Sequence, residues 1–211
     1  MQKPNSRVLS LFALPVLAGL LTGCNREPEP RHYREVITRG EVALQGKPRI
    51  DMTWTLPAHW TVQPEGDPLR LTGFWAPDPA RAAAGKTDPN PVDVSIVQLA
   101  GAAGGLEANV TRWLGQVKIA PSFTQQAIEE ATPIRLASGQ EGIIVDFTGL
   151  LSGDLTQTES IMGAIVPVGE TTLFVKAMGG RSRLQRLKPE LIAFCQSLSV
   201  GSASGTGETA P

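Results

Sequence analysis

A glycine run in front of an amphipathic stretch is the first place where this sequence could do chemistry. The run, 101–105, contains Gly101, Gly104 and Gly105, and apolar residues recur at helical spacing over 106–117. Glycines let a backbone approach a ligand, and the free amides and dipole at a helix start attract anions. The run matches neither the dinucleotide fingerprint nor the Walker pattern, and Glu107 in the first helical turn repels a phosphate. The pattern favours a tight strand-to-helix connection over a phosphate site.

The polar face of this predicted helix is a second candidate. Asn109, Arg112 and Gln116 follow one another at i, i+3 and i+7, so they form one stripe beside the buried face. The guanidinium and the two amides offer donors for a binding partner. The same groups can instead tie the glycine run and the helix to nearby backbone carbonyls. We favour the structural role and keep the stripe as a possible interaction surface.

Residues for catalysis are not gathered in any recognisable pattern. Histidine is the usual general base, but His32 lies in a polar N-terminal segment and His59 sits at a turn, each without a partner visible in the sequence. The carboxylates of Asp146, Asp154 and Glu159 lack a spacing that implies a shared site, and paired Cys or His ligands do not occur. We therefore expect no catalytic residues, no metal site and no cofactor.

The N-terminus has the pattern of a targeting segment. Lys3 and Arg7 precede an apolar run, 8–21, that is too short to span a bilayer as a helix. This pattern predicts a signal peptide over 1–23 that is removed from the mature protein.

The end of that segment resembles the bacterial lipobox. Leu21, Thr22 and Gly23 precede Cys24, and in lipoproteins the equivalent cysteine receives diacylglyceryl before cleavage and an amide-linked acyl chain afterwards. The resemblance implies that acylated Cys24 anchors the chain to a lipid bilayer, since several buried acyl chains hold a protein there essentially permanently. Under the lipoprotein sorting rule, Asn25 implies the outer membrane, facing the periplasm. The alternative is a plain secretory signal with a chance cysteine.

Composition bounds the domain organisation. The chain has 211 residues with 19 basic and 20 acidic side chains, which gives nucleic acid no basic surface to bind. We predict a lipid anchor and tether over 24–33, a single domain over 34–200 and a disordered tail over 201–211, which holds no large apolar residue. With Cys24 lipidated, Cys195 stands alone on the apolar side of a predicted helix; this favours a core residue over a reactive or intermolecular thiol.

Hydrophobic periodicity predicts the elements of this domain. Before the helix at 106–117 we expect strands near 50–56, 69–76 and 92–99, a weaker strand pair around 35–44, and a surface loop over 77–91. After it we expect strands at 134–137, 142–150, 160–168 and 172–178, and a helix over 184–198 that kinks or restarts at Pro189. Short turns between the later strands indicate an antiparallel meander. The fold class is therefore α+β, an antiparallel β-sheet flanked by helices.

The order of these segments resembles a group of bacterial lipoproteins of unassigned function. The segments that carry it are PAHW at 57–60, DVSI at 93–96, GGLEANVTRWLGQV at 104–117, LFVK at 173–176 and FCQSL at 194–198. Those lipoproteins are similar to the PsbP/Mog1-like α/β/α sandwich. The resemblance implies an antiparallel sheet between helices that binds other proteins and does not catalyse, although neither family's binding residues map onto this chain.

Two functional hypotheses follow from the sequence. The first is a lipid-anchored, non-catalytic binding or accessory module with an unknown protein partner in the envelope. The alternative is an envelope enzyme or small-ligand carrier whose site assembles around His59 and the glycine run. A deep cleft with converging polar groups favours the alternative, and a flat exposed patch favours the binding module.

Overall fold

The computed structural model describes residues 51–150 and 159–201, together with the backbone of 31–35. The predicted signal peptide, Cys24, the weaker strand pair from residue 36 onward, Asp154 and the tail from residue 202 onward lie outside the described residues. No helix in the described part of the chain is long and apolar enough to cross a membrane.

The described elements comprise ten strands and four α-helices. The strands are β1 (Arg31–Glu35), β2 (Met52–Leu56), β3 (Thr61–Val62), β4 (Arg70–Ala76), β5 (Val92–Ala100), β6 (Thr132–Arg135), β7 (Glu141–Asp146), β8 (Glu159–Val168), β9 (Thr171–Gly180) and β10 (Ser199–Val200). The helices are α1 (Pro79–Ala83), α2 (Leu106–Gln116), α3 (Thr124–Glu129) and α4 (Arg181–Ser197).

Seven strands form one antiparallel sheet in the order β3-β4-β5-β9-β8-β7-β6. The strands from β6 to β9 follow one another in space as they do in sequence, so the predicted meander is confirmed. Strands β1, β2 and β10 form a separate antiparallel sheet of three strands. With helices on both faces of the large sheet, the predicted α+β class, an antiparallel sheet flanked by helices, is confirmed.

Strand alternation gives the large sheet two different faces. On β5, Val94 and Ile96 belong to a core that includes α4 and the small sheet. Their neighbours Ser95 and Val97 point to the opposite face, where α2 and α3 pack. The first core contains an aromatic cluster in which Phe74 lies 5.8 Å from the ring of Trp54 and 5.3 Å from that of Phe194.

Helix α2 covers only part of the second face. Trp113 packs edge to face on Phe174 at 6.0 Å and lies over Gly163, where an added Cβ would come within 2.8 Å of the indole. Beyond this contact, toward β4, the face lacks a covering helix among the described residues, and the side chain of Trp75 is 41% exposed. This uncovered part of the sheet lies beside the candidate sites.

The structure corrects the expected loop over 77–91, because this segment contains helix α1. Asp78 caps that helix by accepting a hydrogen bond from the amide of Ala80 at 3.0 Å, and Pro79 occupies the first turn, where its missing N–H costs nothing. Asp78 and Pro79, which the sequence analysis assigned to a loop, therefore start a helix.

Other element boundaries also differ from the prediction. The strand β1 includes residues 31–33 of the predicted tether, so strand pairing begins before residue 34. Helix α3 was not predicted because its six residues are too few to show a clear helical periodicity. Helix α4 runs without interruption through Pro189, which is exposed, so the expected restart there was wrong. A carbonyl that loses its partner on an exposed face can bind water instead.

Candidate functional site

A groove lies between α2 and the sheet, with a volume of about 280 Å³. Its apolar lining consists of Leu69, Val97, Leu99, Trp113 and Phe174. Polar side chains also line it, namely Asp67, Arg70, Arg112, Gln116 and Lys176. The groove exists because α2 packs over β8 and β9 and leaves β5 partly uncovered.

The first residue of the predicted stripe, Asn109, is turned inward. Only 1% of it is exposed. Its amide nitrogen donates to the carbonyl oxygens of Ala103 at 3.0 Å and Gly105 at 2.6 Å, and its amide oxygen accepts from Arg112 at 2.7 Å. Asn109 thus ties the glycine run to α2, which is the structural role that the sequence left open.

The other two residues of the stripe face solvent at the groove. Arg112 and Gln116 are both exposed, and the amide oxygen of Gln116 accepts from Nζ of Lys176 at 3.1 Å. Arg112 and Lys176 therefore each bond to a neutral amide oxygen. In the described part of the chain, neither cation has a carboxylate within ion-pair distance.

A polar cluster closes the side of the groove nearest β4. The guanidinium of Arg70 bonds both carboxylate oxygens of Asp93 at 2.8 Å, and Nε2 of Gln63 donates to the same carboxylate at 2.8 Å. Burial opposes ionisation of Asp93, but the hydrogen bonds from Arg70 and Gln63 lower its pKa overall. Burial is the main cause that lowers the pKa of Lys176, and the positive charge of Arg70 lowers it further. The sequence held one signal for this cluster, a charged residue at position 93 between apolar strand residues.

A larger cleft, with a volume of about 1100 Å³, lies at the end of the sheet where β5 begins and β4 and β9 end. Its wall on one side is the segment that carries α1, and on the other side the start of α4. The residues that matter for its chemistry are Trp75 on the open sheet face and the polar side chains of His59, Lys86, Asn90, Asp93, Glu159 and Arg183.

The α1 segment is fastened to α4 by two ion pairs. The carboxylate of Asp78 bonds the guanidinium of Arg186, with Nε 3.0 Å from Oδ2. Arg183 lies 3.4 Å from Asp88, whose other carboxylate oxygen accepts from the amide of Asp78 at 2.8 Å. The Arg186 hydrogen bond lowers the pKa of Asp78 despite its burial. These contacts fix the wall of the cleft.

His59 lies in the cleft wall, apart from the glycine run. Its Nε2 lies 3.0 Å from Oε2 of Glu190, which also accepts from the indole nitrogen of Trp60 at 3.1 Å. The glycine run follows Ala100 at the opposite end of β5, and nine strand residues separate the two ends by about 27 Å. The structure therefore does not bring together the two parts of the alternative site.

The glycine run itself is a tight connection. Gly101, Gly104 and Gly105 all have positive φ, and Ala103 also does, at 50°. The carbonyl of Gly101 accepts from the hydroxyl of Thr172 at 2.8 Å, and that of Ala102 accepts from the amide of Gly105 at 2.7 Å. Together with the two contacts to Asn109, this geometry is that of the predicted strand-to-helix connection.

The remaining candidate residues from the sequence are Cys195, Asp146 and Glu159. Cys195 is fully buried in the first core, as predicted, and burial raises the pKa of its thiol to about 12. Asp146 bonds the hydroxyl of Thr148 at 2.6 Å and pairs with Lys188 at 2.9 Å. Glu159 is exposed at the cleft.

Comparison with known proteins gives similarities to solved structures. No family model matches the chain, and no curated protein matches it. The chain is similar to the solution structure of cyanobacterial PsbP (CyanoP) from Synechocystis sp. PCC 6803, with 10% identity and a TM-score of 0.40, over 77% of this chain and 99% of that one. It is also similar to a crystal structure from Bacteroides thetaiotaomicron VPI-5482, with 12% identity and a TM-score of 0.35, over 76% of this chain and 47% of that one.

Proposed function

We propose that this chain is a non-catalytic binding module of the bacterial envelope, anchored to the outer membrane by acylated Cys24, and that the groove beside α2 contacts a protein partner. The anchor rests on the lipobox-like sequence that ends at Cys24. The contact surface rests on the groove and on the two outward-facing residues of the stripe.

The observation that carries the proposal is that two cations at the groove, Arg112 and Lys176, have no carboxylate partner in the described chain. Each bonds a neutral amide oxygen instead, beside an apolar lining that includes Leu69, 64% exposed. A carboxylate of a partner can replace water at these cations while a neighbouring apolar side chain covers Leu69. A hydrogen bond to a charged group contributes about 1.5–3 kcal/mol.

In-cell crosslinking followed by mass spectrometry tests the groove. Cells that express the wild type or the Arg112→Ala variant are compared, with Arg135→Ala as the matched control, because Arg135 is an exposed arginine on the far edge strand β6. We expect a reproducible envelope partner that is lost with Arg112→Ala and kept with Arg135→Ala. The melting temperatures of all three proteins should agree within about 3 °C. A partner retained by Arg112→Ala would exclude the groove as its contact surface.

The anchor has its own test. Cys24→Ser removes the thiol that lipidation needs, so the variant should leave the membrane fraction while the wild type stays in it. A fully membrane-retained variant would contradict lipidation at Cys24 and leave the groove result unaffected.

A further inference from the structure

We propose that the cleft at the start of β5 binds a short, uncharged oligosaccharide, with one sugar ring stacked on the indole of Trp75. This site is separate from the groove beside α2, and the inference stands whether or not the groove binds a protein.

Trp75 is much more exposed than the other three tryptophans of this chain. Trp54, Trp60 and Trp113 are between 2% and 5% exposed, whereas Trp75 is 41% exposed and lines the cleft. Its neighbour Phe74 points into the core, so strand alternation turns the indole of Trp75 onto the uncovered side of the sheet. An exposed aromatic face in a concave site is a typical ligand contact. The C–H face of a pyranose ring is flat, apolar and close to an indole in size.

The charges that line the cleft favour a neutral ligand. Asp93 is paired with Arg70, and Asp88 is paired with Arg183. Of the other lining residues, Lys86 and Glu159 carry opposite charges. An anionic or cationic ligand would therefore find no excess of the opposite charge to replace its hydration.

The polar groups of the cleft can both donate and accept hydrogen bonds. Asn90 offers both functions, Glu159 and Asp93 accept, and Thr61 supplies a hydroxyl. Sugar hydroxyls donate and accept in turn, and this mixed lining satisfies both of their functions.

The dimensions of the cleft favour several sugar rings over one. Its volume of about 1100 Å³ lies slightly above the range of about 300–1,000 Å³ that is typical of small-molecule sites. The ion pairs Asp78–Arg186 and Asp88–Arg183 hold its wall in place, so little ordering remains to be done when a ligand enters.

Calorimetry and fluorescence on the full chain test this proposal. The protein is purified in lauryldimethylamine oxide, a detergent without sugar, and titrated with three neutral trisaccharides: triacetylchitotriose, cellotriose and maltotriose. We expect at least one trisaccharide to bind with a Kd below about 1 mM. Because Trp75 is the exposed tryptophan, the same sugar should protect the fluorescence from quenching by acrylamide.

Three variants separate the cleft from the rest of the surface. Trp75→Ala should weaken binding about tenfold, as expected for a lost stacking contact. Val62→Ala, which removes an exposed apolar side chain that lines neither the cleft nor the groove, is the matched control and should bind like the wild type. Glu159→Gln changes an exposed acceptor without touching the core, so it should weaken binding even if Trp75→Ala fails to fold.

Three results would overturn the proposal. The first is that no trisaccharide binds with a Kd below about 10 mM. The second is that binding is unchanged in both Trp75→Ala and Glu159→Gln. The third is that Val62→Ala loses binding to the same extent as the cleft variants.

Discussion

Substitution of Asn109 tests most directly which residues of the stripe on α2 stabilise the fold and which are free to contact a partner. The Asn109→Ala variant removes the two hydrogen bonds to the carbonyls of Ala103 and Gly105 and the acceptor of Arg112. The carbonyl of Gly105 keeps the bond from the main-chain amide of residue 109 at 3.2 Å, and Ala103 and Gly105 are both only half-buried.

The expected magnitude follows from these contacts. Each neutral hydrogen bond contributes about 1 kcal/mol net, and the buried side chain leaves only a small void. We therefore expect Asn109→Ala to lower the free energy of unfolding by about 2 kcal/mol. Arg112→Ala should lower it by only about 0.5–1 kcal/mol, because Arg112 is exposed and donates a single hydrogen bond, to the amide oxygen of Asn109.

Urea unfolding followed by far-UV circular dichroism measures both values on the full chain. The same two variants enter the crosslinking experiment, so stability and partner capture are compared directly. If Asn109→Ala unfolds like the wild type and Arg112→Ala loses about 2 kcal/mol, the division of roles described above is wrong.

Three further predictions rest on single contacts. Gly163→Ala should destabilise the protein by about 1–3 kcal/mol in thermal unfolding, since its Cβ would meet the Trp113 ring at 2.8 Å; an unchanged melting temperature would contradict this packing. The lowered pKa of Asp78 contributes stability that is present above its ordinary value of 3.8 and lost as pH falls through the folded value. Asp78→Asn, which removes the charge that pairs with Arg186, should flatten the acid side of a stability–pH curve, and an identical acid limb would contradict it. Cys195 should resist iodoacetamide at pH 8 until the protein is unfolded, because its buried thiol has a pKa of about 12; rapid native labelling would count against its burial.

Local patterning in the sequence determined the elements and the fold class. The alternation over Val92–Ala100 and the apolar stripe of Arg181–Ser197 each specify one buried face, because a side chain's direction repeats every 2 residues in a strand and about every 3.6 in a helix. Burial of Cys195 follows from the same stripe. The α1 helix was missed because a proline and an aspartate favour a helix start as readily as a turn.

Only the tertiary structure decided the sites. Helical spacing places Asn109 on the edge of the buried face, but whether it turns inward depends on where the carbonyls of the preceding loop lie. Arg70 and Asp93 meet because β4 pairs with β5, and His59 meets Glu190 across 131 residues of sequence. The exposure of Trp75 depends on how far α2 extends across the sheet. Periodicity fixes which face a side chain takes, whereas packing between distant segments fixes what covers that face.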